Sequence, residues 1–305
     1  MINLMATTNS VKQQIQELRR QYDQLRVGKD SLLTVLDEAE IAENVYNSNA
    51  IENSTLTLKE TEKILLEMEI SRDVDLREVY EAKNLARVIE YIRSKAKETE
   101  LSQDTILFLH QMLINTIDDN IAGRYRKQGE YVRVGTHVAP APERVNVMIE
   151  NLLLDFYSDH ATYFVDKIAK FHLEFETIHP FNDGNGRIGR VLMNYQLLRL
   201  GYPVVIVRNK EKDTYYRAFY DYRDLKKTDP MERVVTLALF ESLHKRITYL
   251  KGEEIVEVAD YAKKHNSYLP SLLNAARRQT IPAFREKGVW KIGVNFDSKP
   301  LKQAV

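Results

Sequence analysis

Residues 179–190, with the sequence HPFNDGNGRIGR, combine side chains suited to phosphate chemistry. Glycines at 184 and 186 let the chain turn sharply and bring main-chain N–H groups close to a ligand. A helix predicted to begin at about Arg187 places the positive end of its dipole at this turn, which favours an anion. Arg187 and Arg190 are three residues apart, so both lie on one helical face and can reach the same anion.

Two further side chains of this segment could act on a bound phosphate. Asp183 offers a hard carboxylate ligand beside the anion site, suited to Mg²⁺ bound to phosphates. His179 precedes the turn, where a neutral imidazole could take a proton from an attacking hydroxyl. Phosphoryl-type transfer depends mainly on positioning and on stabilising charge, and these residues supply both.

Structural alternatives compete with this interpretation. Taken singly, a Gly-Asn-Gly turn between helices or a histidine before proline is more often structural. A calcium loop beginning at Asp183 would have Arg187 at its fifth position and Asn194 at its twelfth. That chemistry excludes an EF-hand. No G-x4-GK[ST] phosphate loop occurs elsewhere. Together and in this order, the residues of 179–190 favour a functional site.

The segment resembles the Fic family motif, H-x-F-x-[D/E]-G-N-G-R-x-x-R, and matches it at every defined position. The resemblance extends over roughly residues 104–222 and includes the Gly-Arg-Tyr-Arg sequence at 123–126. It implies an all-α fold, with a Fic helical core and a short β-hairpin flap. It also implies transfer of AMP from ATP to a hydroxyl side chain of a target protein, with release of pyrophosphate.

The resemblance assigns roles to individual residues. His179 would be the general base, Asp183 would hold Mg²⁺ and Phe181 would be a buried anchor. The triphosphate would be bound by Gly184, Asn185, Gly186, Arg187 and Arg190. Relatives that act as kinases carry a lysine where this chain has Gly184, so the glycine favours nucleotidyl transfer.

Two other regions acquire expected roles. Residues 130–138 alternate β-branched and polar side chains around a glycine, which predicts a hairpin. By resemblance this hairpin is a flap that holds the target backbone as an added strand through Val132, Arg133, Val134, Gly135 and Thr136. Tyr215 and Tyr216 could line an adenine pocket, although tyrosines at this spacing more often simply pack in a core.

A second match lies in the sequence SNAIEN at residues 48–53. It resembles the family's inhibitory helix motif, [S/T]-x-x-x-E-[G/N]. Glu52 would pair with Arg190, occupy the guanidinium needed for the γ-phosphate and leave ATP in an unproductive pose. Ser48 would steady the helix end. An ordinary carboxylate at a helix end is the alternative, and in some relatives the same glutamate instead positions water to remove AMP.

Composition limits the remaining possibilities. The 305 residues contain 44 basic and 44 acidic side chains, so no overall field favours nucleic acid or a membrane surface. No cysteine is present, which excludes disulfides and thiolate catalysis. No run of eighteen apolar residues and no secretory signal pattern is visible, so we expect a cytoplasmic protein without a membrane partner.

The expected domain organisation has three parts. Residues 1–100 form an N-terminal helical region with the inhibitory helix at about 38–53, residues 101–250 the catalytic core, and residues 251–305 a winged-helix-like module. A modest basic cluster in this module could contact DNA phosphates: Arg277, Arg278, Arg285, Lys287 and Lys291. Packing or dimerisation is the alternative use of such a module, and a homodimer remains open.

Two other functions compete with self-inhibited AMP transfer. One is a transferase that uses another nucleotide or phosphorylated donor. The other is a DNA-binding regulator whose Fic-like core senses nucleotide, a role for which an intact His179 is not required.

Overall fold

The computed structural model describes residues 7–70 and 74–296. Packing divides the chain into two compact units. The first contains Glu40–Thr236 together with residues 7–8, and the second contains Asn9–Ala39 and the chain from Leu237 onward. The division falls within α2 and α10. The helices are α1 (Asn9–Leu25), α2 (Asp30–Ile51), α3 (Leu58–Glu62), α4 (Leu76–Lys95), α5 (Gln103–Ile114), α6 (Pro142–Ser158), α7 (Phe164–Ile178), α8 (Asn185–Arg199), α9 (Lys212–Leu225), α10 (Asp229–Leu250), α11 (Val258–Lys264) and α12 (Leu269–Arg277).

The strands are short, and they form two small antiparallel sheets. They are β1 (Arg133–Val134), β2 (His137–Val138), β3 (Ile255–Glu257), β4 (Phe284–Glu286) and β5 (Val289–Gly293). The predicted all-α class with a short hairpin is therefore confirmed.

Helix α8 is the centre of the first unit. Almost all of its residues from Asn185 to Leu198 are buried, and α4, α5 and α7 pack against it. A helix covered on all sides must find partners for its polar side chains. Asn194 does so by bonding both polar groups of Val205, at 3.0 Å and 2.7 Å. The start of α8 is consequently held rigidly against the rest of the core.

Helix α7 precedes the loop at residues 179–184, and α8 follows it. Its apolar residues recur at three- and four-residue steps, and Ile168, Phe171, Phe175 and Ile178 are all buried. This periodicity predicts a helix over residues 164–178, which the structure confirms. Packing of α7 against α8 fixes both ends of the connecting loop, so the loop joins two rigid elements.

For the segment between α2 and α4, the sequence predicts one helix over residues 57–70, with Thr57 as N-cap and Glu60 completing a capping box, and the structure differs in part. The predicted capping box is confirmed: Glu60 N–H donates to Thr57 Oγ1 at 3.2 Å, and Thr57 N–H to the Glu60 carboxylate at 2.9 Å. Helix α3, however, passes into a π-helical turn at Lys63–Glu67, and Met68 then takes a left-handed conformation with φ of 58°. The sequence also predicts a long helix over residues 73–97. Residue 73 lies outside the described residues, and the observed helix is Leu76–Lys95.

The second unit contains the C-terminal elements predicted to resemble a winged helix. Helices α11 and α12 pack beside a three-stranded sheet of order β3-β5-β4, with the predicted turn at Lys287 and Gly288 between β4 and β5. The sequence analysis missed β3.

Partners within this unit engage two of the predicted DNA-contacting cations. Arg285 pairs with Glu241 at 2.6 Å and Lys291 with Glu286 at 2.7 Å. Arg277 and Arg278 are exposed at the end of α12. DNA binding and the predicted three-part division both stay predictions.

Candidate active site

The loop joining α7 to α8 is shaped by two residues with positive φ. His179 ends α7 in a left-handed conformation with φ of 49°, and Gly184 precedes α8 with φ of 81°. A Cβ on Gly184 would also lie 3.1 Å from Leu113 and 3.2 Å from Ile114. Both backbone conformation and space therefore require glycine at this position.

Asn185 fastens the loop from within. Its Oδ1 accepts from Phe181 N–H at 2.9 Å, and its amide donates to Phe181 C=O at 2.8 Å. These bonds close the turn between residues 181 and 185. Asn185 also lines the cavity described below, and its contact with phosphate stays a prediction. Phe181 is fully buried, as expected for an anchor.

His110 of α5 supports the same loop, and the sequence analysis missed it. Its ring stacks on Phe181 with centroids 3.7 Å apart. Its Nδ1 accepts from Gly123 N–H at 3.1 Å, so the proton lies on Nε2 and is donated to Asp183 C=O at 3.1 Å. Burial lowers the pKa of His110 to about 4, which keeps the ring neutral. A neutral ring with one donor and one acceptor suits this structural role.

Arg126 holds the main chain around His179. Its guanidinium donates to the carbonyls of His179 at 2.8 Å, Glu130 at 3.0 Å and Pro140 at 2.9 Å. The side chain is buried, so these bonds tie both ends of the hairpin segment to the catalytic turn. Its main-chain N–H also donates to Pro180 C=O. Arg126 belongs to the segment 123–126 that carried the resemblance, and this network explains the arginine there.

His179 lies beside the turn with its side chain largely buried. Burial lowers its pKa to about 4, while the main-chain carbonyl of Glu176 acts in the opposite direction. The ring is therefore neutral at physiological pH, as a general base requires. Its Nδ1 has no hydrogen-bond partner of normal geometry.

A cavity of about 390 Å³ opens in front of the loop. The predicted residues His179, Asp183, Gly184, Asn185, Gly186, Arg187 and Glu52 all line it. Helix α4 adds Arg77, Glu78 and Glu81, which the sequence analysis did not identify. The cavity wall therefore carries four carboxylates, of Glu52, Glu78, Glu81 and Asp183, and two guanidiniums.

Charges at the cavity are linked to one another. Asp183 accepts from Arg187 at 2.9 Å, and it also contacts Arg77 of α4. Arg187 pairs in addition with Glu81 at 3.1 Å, and its side chain is only 4% exposed. Arg77 and Glu81 are four residues apart and themselves paired at 3.1 Å. The wall thus contains a four-membered chain of alternating charges.

Arg190 lies behind this wall, and its guanidinium donates three hydrogen bonds to residues at the end of α2. Its Nη2 donates to Glu52 at 2.9 Å and to Ser48 C=O at 2.8 Å, and its Nε donates to Ser48 Oγ at 2.9 Å. Arg190 does not line the cavity, and its side chain is 6% exposed. The contact between Glu52 and Arg190, expected from resemblance, is therefore present in the structure.

Position 53, directly after Glu52, has a left-handed backbone, which favours glycine or asparagine. Asn53 has φ of 70°, its N–H donates to Ala50 C=O, and Ser54 N–H donates to Asn49 C=O. These bonds form a Schellman motif, in which the residue past the helix end must be left-handed. Helix α2 ends at Ile51, so Glu52 lies in the final turn and points towards Arg190.

The hairpin at residues 133–138 has the predicted form. Arg133 pairs with Val138 and Val134 with His137, and Gly135 has φ of 57°. Val134 is 42% exposed, so this part of the hairpin faces solvent. His137 bonds Thr177 C=O at 2.9 Å and fastens the hairpin to α7.

Tyr215 and Tyr216 lie outside the residues that line this cavity. Tyr215 is 1% exposed, and its hydroxyl lies 2.7 Å from His172 Nε2 and 3.4 Å from Arg190. Tyr216 donates to Ile51 C=O at 3.0 Å at the end of α2. Their assignment to an adenine pocket stays a prediction.

Neither a clustered metal site nor a membrane-spanning helix occurs within residues 7–70 and 74–296. Across these ranges, no group of three or more His, Cys, Asp or Glu side chains is arranged to hold a metal ion. Within the same ranges, none of the helices combines the length and apolarity needed to span a membrane.

The loop and cavity define a class of protein in which a histidine precedes a glycine-bent turn at a helix N-terminus, an arrangement suited to an anion. Comparison with known families agrees: residues 100–197 match the model of the Fic/DOC family. This part of the chain is a Fic/DOC family domain.

Named relatives carry the same domain. The Protein adenylyltransferase Fic of Drosophila virilis is 32% identical over 177 residues, which cover 57% of this chain and 36% of the relative. The protein of that name from Nematostella vectensis is 33% identical over 178 residues, covering 57% of this chain and 41% of the relative. The chain thus spans well under half the length of these relatives.

Solved structures extend the similarity beyond the domain. A Fic domain containing signaling protein from Bacteroides thetaiotaomicron has a TM-score of 0.71 and 26% identity, with 79% of this chain and 97% of that chain covered. A fragment of Fic-1 from C. elegans has a TM-score of 0.67 and 26% identity, with 79% and 73% covered.

Proposed function

We propose that the chain transfers AMP from ATP to a hydroxyl side chain of a target protein, and to itself. The observation that carries this proposal is the placement of a neutral His179 on the wall of a cavity formed by the anion-binding turn. The named relatives, which are adenylyltransferases, support the choice of reaction.

The proposed reaction assigns each step to a residue of this chain. His179 Nε2 takes the proton of the target hydroxyl, whose oxygen attacks the α-phosphorus. The bond from that phosphorus to the bridging oxygen of the β-phosphate breaks, and pyrophosphate leaves. Gly184, Gly186 and the first N–H groups of α8 hold phosphate oxygens, and Arg187 and Arg190 stabilise the β- and γ-phosphates.

The charges of the cavity support a requirement for Mg²⁺. Four carboxylates and two guanidiniums leave the wall with an excess of negative charge, which disfavours a bare triphosphate. Asp183 is 32% exposed and offers one carboxylate, and Mg²⁺ commonly binds through one or two carboxylates plus substrate phosphates. Bound there, the ion would neutralise phosphate charge, while Arg77 and Arg187 would exchange Asp183 for phosphate oxygens.

The pairing of Glu52 with Arg190 supports self-inhibition as part of this proposal. A guanidinium bound to Glu52 and twice to Ser48 has few donors left for a γ-phosphate. Glu52 also brings negative charge to the cavity wall. ATP bound under these conditions would lack the contact that aligns its α-phosphorus with the attacking hydroxyl.

Other parts of the expected function remain proposals. Use of a different nucleotide donor would be revealed by competition against labelled ATP. Removal of AMP by water positioned by Glu52 is open. DNA as a partner, a homodimer and a cytoplasmic location stay predictions.

The test is incorporation of label from α-labelled ATP into purified protein. Glu52→Gly should raise self-labelling by about 10- to 100-fold, since charge-assisted hydrogen bonds contribute roughly 1.5–3 kcal/mol. Glu52→Gln, which keeps the shape and removes the charge, should give an intermediate increase. Adding His179→Ala to Glu52→Gly should abolish labelling. Equal labelling of wild type and Glu52→Gly would remove the self-inhibition proposal, and labelling that survives His179→Ala would remove the mechanism.

A further inference from the structure

Glu176 of α7 is an ionisable residue for which the proposed mechanism has no use. It lies one turn before His179, and its Oε2 is 3.7 Å from His179 Nδ1. Only 13% of its side chain is exposed. A carboxyl group in such a place is costly unless it interacts with another polar group.

Three polar atoms around Glu176 have no hydrogen-bond partner of normal geometry, although main-chain groups of Glu176 and Gly189 approach the rings of His179 and His172. They are Glu176 Oε1, His179 Nδ1 and His172 Nδ1, all shielded from solvent. An unsatisfied buried donor or acceptor costs roughly 1–3 kcal/mol, so such groups seldom cluster without a role. His172 is held by its other nitrogen, which lies 2.7 Å from Tyr215 Oη.

Gly189 of α8 makes room for this group. A Cβ at residue 189 would lie 2.6 Å from Glu176 Oε1 and 2.9 Å from His172 Nδ1. Any larger residue would displace the carboxyl from its place between the two histidines. The space left by Gly189 therefore allows the Glu176 carboxyl group to lie behind the ring of His179.

We propose that Glu176 is a positioning residue that accepts a hydrogen bond from His179 Nδ1–H during turnover. This inference rests on the proposed function. The bond closes a gap of 3.7 Å, a distance typical of catalytic contacts that tighten only when substrate is bound. With Nδ1 protonated and fixed, Nε2 presents its lone pair to the target hydroxyl.

The same contact assists after proton transfer. When Nε2 takes the hydroxyl proton, the ring becomes an imidazolium, and an acceptor oxygen of Glu176 at Nδ1–H stabilises that charge, more strongly when the group is ionised. Burial raises the pKa of Glu176 to about 8, with the Glu52 carboxylate adding to the rise and Arg190 opposing it. A carboxyl protonated on Oε1 still accepts at Oε2, so the acceptor persists in either state.

One alternative acceptor is present. The main-chain carbonyl of Glu176 also approaches the His179 ring, and it could fix the tautomer without the side chain. The two acceptors are separable, because substitution at residue 176 removes the carboxyl and leaves the carbonyl. A purely structural carboxyl would differ again, since its removal would impair folding and nucleotide binding together.

The experiment uses the full chain carrying Glu52→Gly as parent, so that self-inhibition does not mask the effect. Glu176→Ala should lower kcat for self-labelling by about 10- to 100-fold, as loss of an orienting partner does elsewhere, with KM for ATP within about twofold of the parent. Glu176→Gln keeps an acceptor oxygen and should recover part of the loss. Glu174→Gln is the matched control: it lies on α7 but bonds Tyr222 at 3.0 Å, and it should retain the parent kcat.

A spectroscopic measurement supplies a readout independent of activity. NMR of labelled histidine should show the Nδ1–H tautomer of His179 in the parent and a mixture in Glu176→Ala. An unchanged tautomer and kcat would overturn the proposal in favour of the main-chain carbonyl. A fall in kcat matched by equal losses of ATP affinity and of melting temperature would overturn it in favour of a structural role. No labelling by the parent would refute the proposed function, while the tautomer would still test Glu176.

Discussion

Glu78 should control how firmly Glu52 is held. Its carboxylate accepts from Ser54 Oγ at 3.0 Å, from Thr55 N–H at 2.5 Å and from Thr55 Oγ1 at 2.8 Å. These donors lie two and three residues after Glu52 in the chain. Glu78→Ala would therefore release the segment that carries the inhibitory carboxylate, without altering Glu52 or Arg190.

The size of the effect follows from these three bonds. Hydrogen bonds to a charged group contribute roughly 1.5–3 kcal/mol each, but Thr55 is exposed and such bonds are not additive. A total of about 2 kcal/mol is reasonable, which corresponds to a factor of about 30 in an equilibrium constant. Self-labelling should rise by up to that factor, with the activity of Glu52→Gly as its ceiling.

The assay is labelling from ATP by four proteins: wild type, Glu78→Ala, Glu52→Gly and the double variant. At saturating Mg²⁺–ATP, where the charge of Glu78 at the cavity wall no longer limits nucleotide binding, Glu78→Ala should activate the wild type and add nothing to Glu52→Gly, because the released segment then carries no carboxylate at residue 52. Glu90→Ala, at an exposed position of the same helix, is the matched control and should behave as wild type. Equal activity of Glu78→Ala and wild type, or an additive gain in the double variant, would refute the reasoning.

Two further predictions concern stability. Gly189→Ala should lower the free energy of unfolding by about 1–3 kcal/mol, because its Cβ would lie 2.6 Å from Glu176 Oε1; a melting temperature equal to that of wild type would contradict the packing described. The pKa of Glu176 is about 8 in the folded protein, against an ordinary 4.5. The folded state therefore holds the proton of this carboxyl group between pH 4.5 and 8. The contribution of Glu176 to the free energy of unfolding is present below pH 4.5 and is lost as pH rises through 8. Denaturant titrations between pH 6.5 and 8 should show wild type losing up to about 1.4 kcal/mol more per pH unit than Glu176→Gln, and parallel curves would contradict this.

Local sequence was sufficient to predict the catalytic turn. Its residues are contiguous, and their chemistry depends on a short backbone path that glycine permits, so spacing alone placed His179, Asp183 and Arg187 at one cavity. The capping box at Thr57 was predictable for the same reason, since its partners are three residues apart.

Residues brought in from distant helices were not predicted. Arg77 and Glu81 reach the cavity only because α4 packs against α8, which no local pattern encodes. Their four-residue spacing was visible, but it is typical of any solvated helical face. The π-helical turn at 63–67 likewise depends on packing, because nothing in its composition forbids a regular helix.

Some residues that the sequence analysis assigned to ligand binding also make contacts within the protein that it did not predict. Asn185 is predicted to contact the phosphates, and its amide also closes the loop on Phe181, a contact that the sequence analysis did not foresee. Arg285 and Lys291 were read as cations for DNA, and each has a carboxylate partner within its own unit. Charge and polarity identify a residue as important to its surroundings, but they do not reveal which neighbour it will meet.

The contact between Glu52 and Arg190 joins two parts of one polypeptide, which makes the local concentration of the Glu52 carboxylate a property of the chain. Dilution therefore cannot separate the two groups, as it would for an inhibitor on a second subunit. Under the proposed inhibition, the specific self-labelling activity of the wild type should be as low at nanomolar as at micromolar protein. Activation would then require either a change in the chain itself or a partner that competes for the end of α2.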